Sequence, residues 1–150
     1  MIFDLFSAIA AKGIRARYNP KSNGAILYFH RVLESPDAYY PDDLNQKDFE
    51  KLLIELKKEF EIVPLDSVNN TNTKNKKTLL SITFDDGYKD NYSLAIPVLV
   101  KHGVPATFFV SSGGIKEGIL WQDRLVTLIK KMPDSYFGKR FKLIGKENFG

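Results

Sequence analysis

The 150-residue sequence contains no cysteine, two histidines, one tryptophan and two methionines. The absence of cysteine excludes a disulfide scaffold, a thiolate metal site and a cysteine nucleophile. No apolar run approaches the roughly 18 residues that a transmembrane helix needs. His30 and His102 lie far apart, so the sequence contains no HxxH, HxxxH or HExxH metal pair. Hydrophobic residues make up 43% and charged residues 27%, which is typical of a chain that folds around a core.

The net charge of +4 raises the question of a nucleic-acid partner. The lysines are spread along the chain, apart from a small group at Lys74, Lys76 and Lys77. That group lies in a polar Asn/Thr stretch, which favours a solvated loop over a binding patch. We therefore expect no nucleic-acid partner.

Residues 1–18 have the apolar periodicity of an amphipathic helix, and a turn follows up to residue 23. The positive charges come after the apolar run, which is the reverse of a signal peptide. The helix is expected to pack on the domain, and the alternative is weak contact with an anionic membrane surface. This pattern favours a cytoplasmic or membrane-associated location.

The rest of the chain alternates between apolar runs and amphipathic segments. Strands are predicted at 25–30, 61–65, 78–84 and 106–110, and those at 25–30 and 78–84 are expected to be buried. Helices are predicted at 44–60, 91–102 and 120–132, with loops at 34–43, 69–77 and 111–114. Asn45 is the expected N-cap of the first of these helices, and Gly103 is expected to end the second. This alternation indicates an α/β fold with a parallel sheet or barrel.

The strongest chemical signal is Asp85-Asp86-Gly87, directly after a predicted strand. Sites in α/β folds lie beyond the carboxyl ends of strands. Two adjacent carboxylates repel each other, and a divalent metal is the simplest group that offsets this repulsion. A plain Asp-Asp-Gly turn explains the spacing equally well.

The surrounding sequence distinguishes these alternatives. Residues 81–92, SITFDDGYKDNY, closely resemble the first motif of the polysaccharide deacetylases, the NodB-homology family of carbohydrate esterase family 4. Stretches within 95–110, 27–32, 60–65 and 120–125 are also similar to this family, so the resemblance covers roughly 24–126. It implies a distorted, TIM-like (β/α) barrel that hydrolyses N-acetyl groups on the amino sugars of a polysaccharide. It also implies a divalent metal, usually zinc, with Asp85 as the catalytic base and Asp86 as a metal ligand.

The later motifs of the family pattern are missing from this sequence. The family holds its metal with one aspartate and two histidines from a later His-x-x-x-His motif, and this sequence lacks that motif. The later motifs that line the groove and supply the catalytic acid are also absent. We therefore expect an incomplete N-terminal portion of the barrel, truncated and inactive alone, with weak or absent metal binding because few ligands remain.

Five further residues are candidates for lining the site. His30 ends a predicted strand at the same sheet edge as Asp86, although a structural role is the more frequent one for such a histidine. Tyr88 follows the glycine and is expected to pack over the site. The last three, Trp121, Asp123 and Arg124, have side chains suited to sugar contacts in a full-length protein, although a core or loop role is the more frequent one for such residues.

These observations divide the chain into 1–23, a partial deacetylase domain at 24–126, and a weakly patterned end at 127–150. Two alternatives to a deacetylase remain. One is a non-catalytic module that binds glycan, or that a partner or second copy completes through open sheet edges. The other is a related amidase on the same fold.

Overall fold

A computed structural model describes residues 15–18, 24–69 and 77–133. The chain forms two compact units, Met1–Ser112 and Gly113–Gly150, and each is described by itself. The strands are β1 (Arg15–Tyr18), β2 (Gly24–Phe29), β3 (Val32–Leu33), β4 (Leu44–Asn45), β5 (Phe60–Ile62), β6 (Thr78–Phe84) and β7 (Thr107–Phe108). The helices are α1 (Gln46–Glu59), α2 (Ile96–His102), α3 (Ser112–Glu117) and α4 (Trp121–Lys130), with a 3-10 turn at Leu65–Ser67 and a π-helical turn at Asn91–Ala95.

The main sheet is centred on β6. Strand β2 runs parallel to β6 along one edge. On the other edge of β6, β5 pairs in parallel with its first residues and β7 pairs in parallel with its last residues. All residues of β6 after Thr78 are buried, as expected for a strand covered on both faces. The α/β class and the parallel pairing predicted from the apolar runs are confirmed. A second pair, β3 with β4, was not predicted.

The first helix follows its sequence signals closely. The Asn45 side chain accepts a hydrogen bond from the Asp48 backbone N–H, so the predicted N-cap is confirmed. The buried side of α1 is formed by Phe49, Leu53 and Leu56, each 0% exposed. The helix therefore covers the sheet through one apolar stripe.

The helix prediction for 1–18 is wrong at its end, because Arg15–Tyr18 forms strand β1, antiparallel to β2. Sheet pairing satisfies the backbone groups along the free edge of β2, and this tertiary gain outweighs the local helical pattern. The rest of that helix (1–14), the turn at 19–23, most of the polar loop (70–76) with Lys74 and Lys76, and the tail from 134 lie outside the described residues.

Three boundaries near the site also differ from prediction. The strand predicted at 106–110 is only two residues long, and a short helix begins at Ser112, where a loop was predicted. The helix predicted at 91–102 opens with a π-helical turn, in which the Ile96 N–H bonds to the Asn91 carbonyl. Pro97 lacks an N–H to continue the regular pattern, and a wider turn accommodates that gap. Gly103 ends α2 in the left-handed conformation, as predicted.

None of the helices in the described part of the chain has the length and apolarity that crossing a membrane requires.

Glu50 connects α1 to α2 through one carboxylate oxygen. That oxygen accepts hydrogen bonds from Lys101 Nζ at 2.8 Å and from His102 Nε2 at 2.7 Å. Both hydrogen bonds lower the pKa of the Glu50 carboxyl below its ordinary value, and the bond from Lys101 has the larger effect.

Because the pKa of Glu50 is lowered in the folded protein, its contribution to the free energy of unfolding should depend on pH. The contribution of Glu50 is present above its unfolded pKa of about 4.3 and is lost as pH falls through the lower folded pKa. We expect Glu50→Gln to lower the free energy of unfolding at neutral pH, and this effect to disappear as pH falls below the unfolded pKa and through the lower folded pKa. Urea titrations across this range measure it, with Glu59→Gln on the same helix as control. Equal losses at every pH would contradict the assignment.

Candidate active site

Asp85 leaves the end of β6 in a fixed position. Its backbone N–H donates to the Phe29 carbonyl at the end of β2, at 2.9 Å. Asp86 has a φ of 72°, which is the left-handed region that non-glycine residues seldom occupy. Such strain persists where the surrounding structure enforces it, and it is concentrated at functional sites.

Gly87 allows this turn to pack against the segment that follows β7. Its φ is also 72°, and a Cβ at this position would lie 2.6 Å from Val110 Cγ1. The Ser111 N–H donates to the Asp86 carbonyl at 3.3 Å. Glycine is therefore required here by both the backbone conformation and the close approach.

The turn forms one side of a cleft of about 360 Å³. The lining residues follow three neighbouring parallel strands, in the order β2, β6 and β7: His30, Asp85, Asp86, Phe109, Val110 and Ser111. This is the strand edge at which α/β folds bind ligands, and the volume suits a small ligand group. The cleft combines two carboxylates and an imidazole with an apolar wall.

The structure brings together three of the seven predicted site residues, namely His30, Asp85 and Asp86. Tyr88 does not line the cleft, and its ring lies against Arg31.

The other three predicted residues lie in the second unit, on α4. The Trp121 side chain is 77% exposed, Asp123 is in the first turn, and Arg124 bonds to Glu117 at 3.3 Å.

Sequence analysis missed the contribution of Phe109, Val110 and Ser111 to the cleft. A usable signal was present, since Phe109 and Val110 end the strand predicted at 106–110 and Ser111 follows it, and that strand was predicted for the same parallel sheet as the strand before Asp85. Phe109 N–H bonds to the Phe84 carbonyl at 2.7 Å, which holds the two strand ends side by side.

A second missed feature is a polar cluster next to His30. Arg31 Nε donates to Asp90 Oδ2 at 2.8 Å, and its guanidinium carbon lies 4.7 Å from the ring centroids of both Tyr40 and Tyr88. Burial raises the pKa of the Asp43 carboxyl, while the charges of Arg31 and His30 oppose this shift.

The described residues do not build a complete metal centre. Across 15–18, 24–69 and 77–133, no three His, Cys, Asp or Glu side chains are grouped so that they could hold a metal ion. Catalytic zinc sites use three protein ligands. The only other histidine of the sequence, His102, is bonded to Glu50.

Comparison with known proteins identifies the fold that carries this cleft. Residues 72–135 match the family described as polysaccharide deacetylase. This stretch of the chain is therefore similar to a polysaccharide deacetylase domain of the NodB type. A 29-residue stretch is 66% identical to YxkH of Bacillus subtilis (strain 168), which is inferred to be a polysaccharide deacetylase.

Two solved structures resemble this chain, each with a TM-score of 0.50. IcaB from Ammonifex degensii is 30% identical over 59% of this chain. The Streptococcus pyogenes deacetylase PplD, solved in complex with acetate, is 25% identical over 62% of this chain. The chain spans 38% and 44% of these two proteins, and its match to YxkH spans 10% of that relative.

Proposed function

We propose that this chain is part of a polysaccharide deacetylase, a hydrolase that removes N-acetyl groups from amino sugars. One observation carries the proposal: the strained Asp85-Asp86 turn shares a cleft with His30 at the carboxyl ends of parallel strands. The apolar wall formed by Phe109 and Val110 suits the methyl group of an acetamide.

The reaction assigned to this cleft is attack of water on the acetamide carbonyl carbon. The C–N bond then breaks, acetate leaves, and the amine nitrogen takes up a proton. Asp85 is the proposed general base, which accepts the proton of the attacking water. The proton taken up by the amine comes from a group that the missing later motifs supply in the complete enzyme. His30, which lines the same cleft, is proposed to contact the acetamide.

We further propose that Asp86 is one ligand of a divalent metal, zinc, in the complete enzyme. The described residues do not supply the remaining ligands. The sheet would be the N-terminal portion of a distorted (β/α) barrel, completed by further residues or by a partner chain. On this proposal the 150-residue chain is inactive alone and binds metal weakly.

Acetate release from N-acetylglucosamine oligomers tests the proposal. The assay uses the natural gene product, with its intact mass measured, beside the 150-residue chain, both with added Zn²⁺. We expect release by a gene product that contains a His-x-x-x-His pair and none by the 150-residue chain.

Each other outcome contradicts a named part of the proposal. Release by the 150-residue chain would overturn its inactivity. Glycan binding without release by the gene product would favour the non-catalytic module, and hydrolysis of a cyclic imide instead would favour the amidase.

A further inference from the structure

The strained conformation of Asp86 requires an anchor on each side of the turn. On one side, the Asp85 N–H bonds to the carbonyl of Phe29. On the other side, Tyr88 and Asp90 both contact Arg31. Phe29 and Arg31 flank His30 in the sequence, so both anchors come from the strand end that carries the cleft histidine.

Arg31 forms the second anchor through a planar guanidinium, and its side chain is largely buried. Its guanidinium carbon lies over the rings of both Tyr40 and Tyr88, 4.7 Å from each ring centroid. The side chains of Arg31 and Asp90 are 23% and 13% exposed, and they pair at 2.8 Å. A part-buried ion pair with aromatic rings on the cation is held more firmly than a fully exposed pair.

The environment of Asp90 makes this contact costly to lose. Among the described residues, its second oxygen, Oδ1, is buried without a hydrogen-bond partner, as are both polar atoms of the Asn91 side chain. A buried carboxylate that loses its cation is strongly disfavoured. The segment after Gly87 would therefore shift if Arg31 were removed.

We propose that Arg31 is a positioning residue, which clamps Tyr88 and Asp90 and thereby holds Asp86 in its strained conformation beside His30. The functional consequence rests on the deacetylase function proposed above, whereas the positioning itself does not. Lysine cannot replace this arginine, because an ammonium group has no planar guanidinium to stack on aromatic rings while it also donates to Asp90.

Backbone NMR of the 150-residue chain tests the positioning directly. A positive φ brings the amide and α protons of one residue close together, so Asp86 gives a strong intraresidue NOE. We expect this NOE to be lost in Arg31→Met and Arg31→Lys. It should be kept in Tyr88→Phe, which retains the ring, and in the control Lys89→Met, which removes an exposed cation from the same segment.

A role in global stability alone would leave the Asp86 signal of the folded molecules unchanged. Retention of the NOE in folded Arg31→Met would therefore overturn the proposal. Where Arg31→Met does not fold, Tyr88→Leu decides in its place, with loss of the NOE expected and retention overturning the proposal.

The catalytic consequence is measured on the natural gene product. We expect kcat for acetate release to fall about 100-fold in Arg31→Lys with KM unchanged, as for a small misplacement of reacting groups. An unchanged kcat beside a lost NOE would overturn the catalytic part of the inference. Absence of acetate release from the unmodified gene product would instead reject the proposed function and leave the NMR result standing.

Discussion

Replacing Asp85 with asparagine is expected to reduce acetate release by the natural gene product about 10²- to 10⁴-fold, the usual contribution of a general base. Asparagine has nearly the same shape as aspartate but cannot accept a proton. The loss is therefore expected in kcat, with KM for the N-acetylglucosamine oligomer little changed. Steady-state kinetics with a continuous acetate assay measures both constants.

The matched control for this prediction is Asp42→Asn. Asp42 is an exposed carboxylate that does not line the cleft. Its replacement should leave kcat and KM unchanged. Equal activity of Asp85→Asn and Asp42→Asn would show that Asp85 is not the base.

Replacing Phe84 with alanine is expected to lower the free energy of unfolding by about 3–5 kcal/mol. Phe84 is 0% exposed, and its ring centroid lies 5.4 Å from that of Phe29, 5.8 Å from Phe49 and 4.9 Å from Phe108. Deleting this ring leaves a cavity between the three neighbouring aromatic rings. The loss is a large share of the roughly 5–15 kcal/mol that stabilises a typical protein.

Urea denaturation of the 150-residue chain measures this loss. The control is Phe109→Ala, because Phe109 is 50% exposed and its removal should cost much less. If Phe84→Ala does not fold, Phe84→Leu gives a smaller and measurable loss. Equal losses for the Phe84 and Phe109 variants would contradict the placement of Phe84 at the centre of the core.

Elements with strong local signals were predictable. The β-rich, mostly apolar pattern of residues 78–84 indicated a buried strand, and the structure has it at Thr78–Phe84, the predicted bounds. Asn45 and Gly103 marked helix ends through their own side-chain or backbone chemistry. The turn after β6 was also predictable, since a polar Asp-Asp-Gly sequence cannot continue a buried strand.

The features that were predicted wrongly or missed have a common cause, which is their dependence on contacts between distant residues. Residues 15–18 have no local preference strong enough to resist pairing with β2, and that pairing depends on residues distant in the sequence. Arg31 is one charged residue among many in the sequence. Its proposed positioning role depends on its contacts with Tyr40, Tyr88 and Asp90, which the fold brings around it.

The sequence alone therefore determined the α/β class, the strand that carries Asp85 and Asp86, and the resemblance to polysaccharide deacetylases, because these depend on short-range patterns. Only the tertiary structure decided that His30 joins the two aspartates and that Phe109 closes the same cleft. It also brought Arg31 into contact with Tyr88 and Asp90, which follow the turn. These contacts join residues dozens of positions apart, and they exist only after the parallel strands have brought their carboxyl ends together.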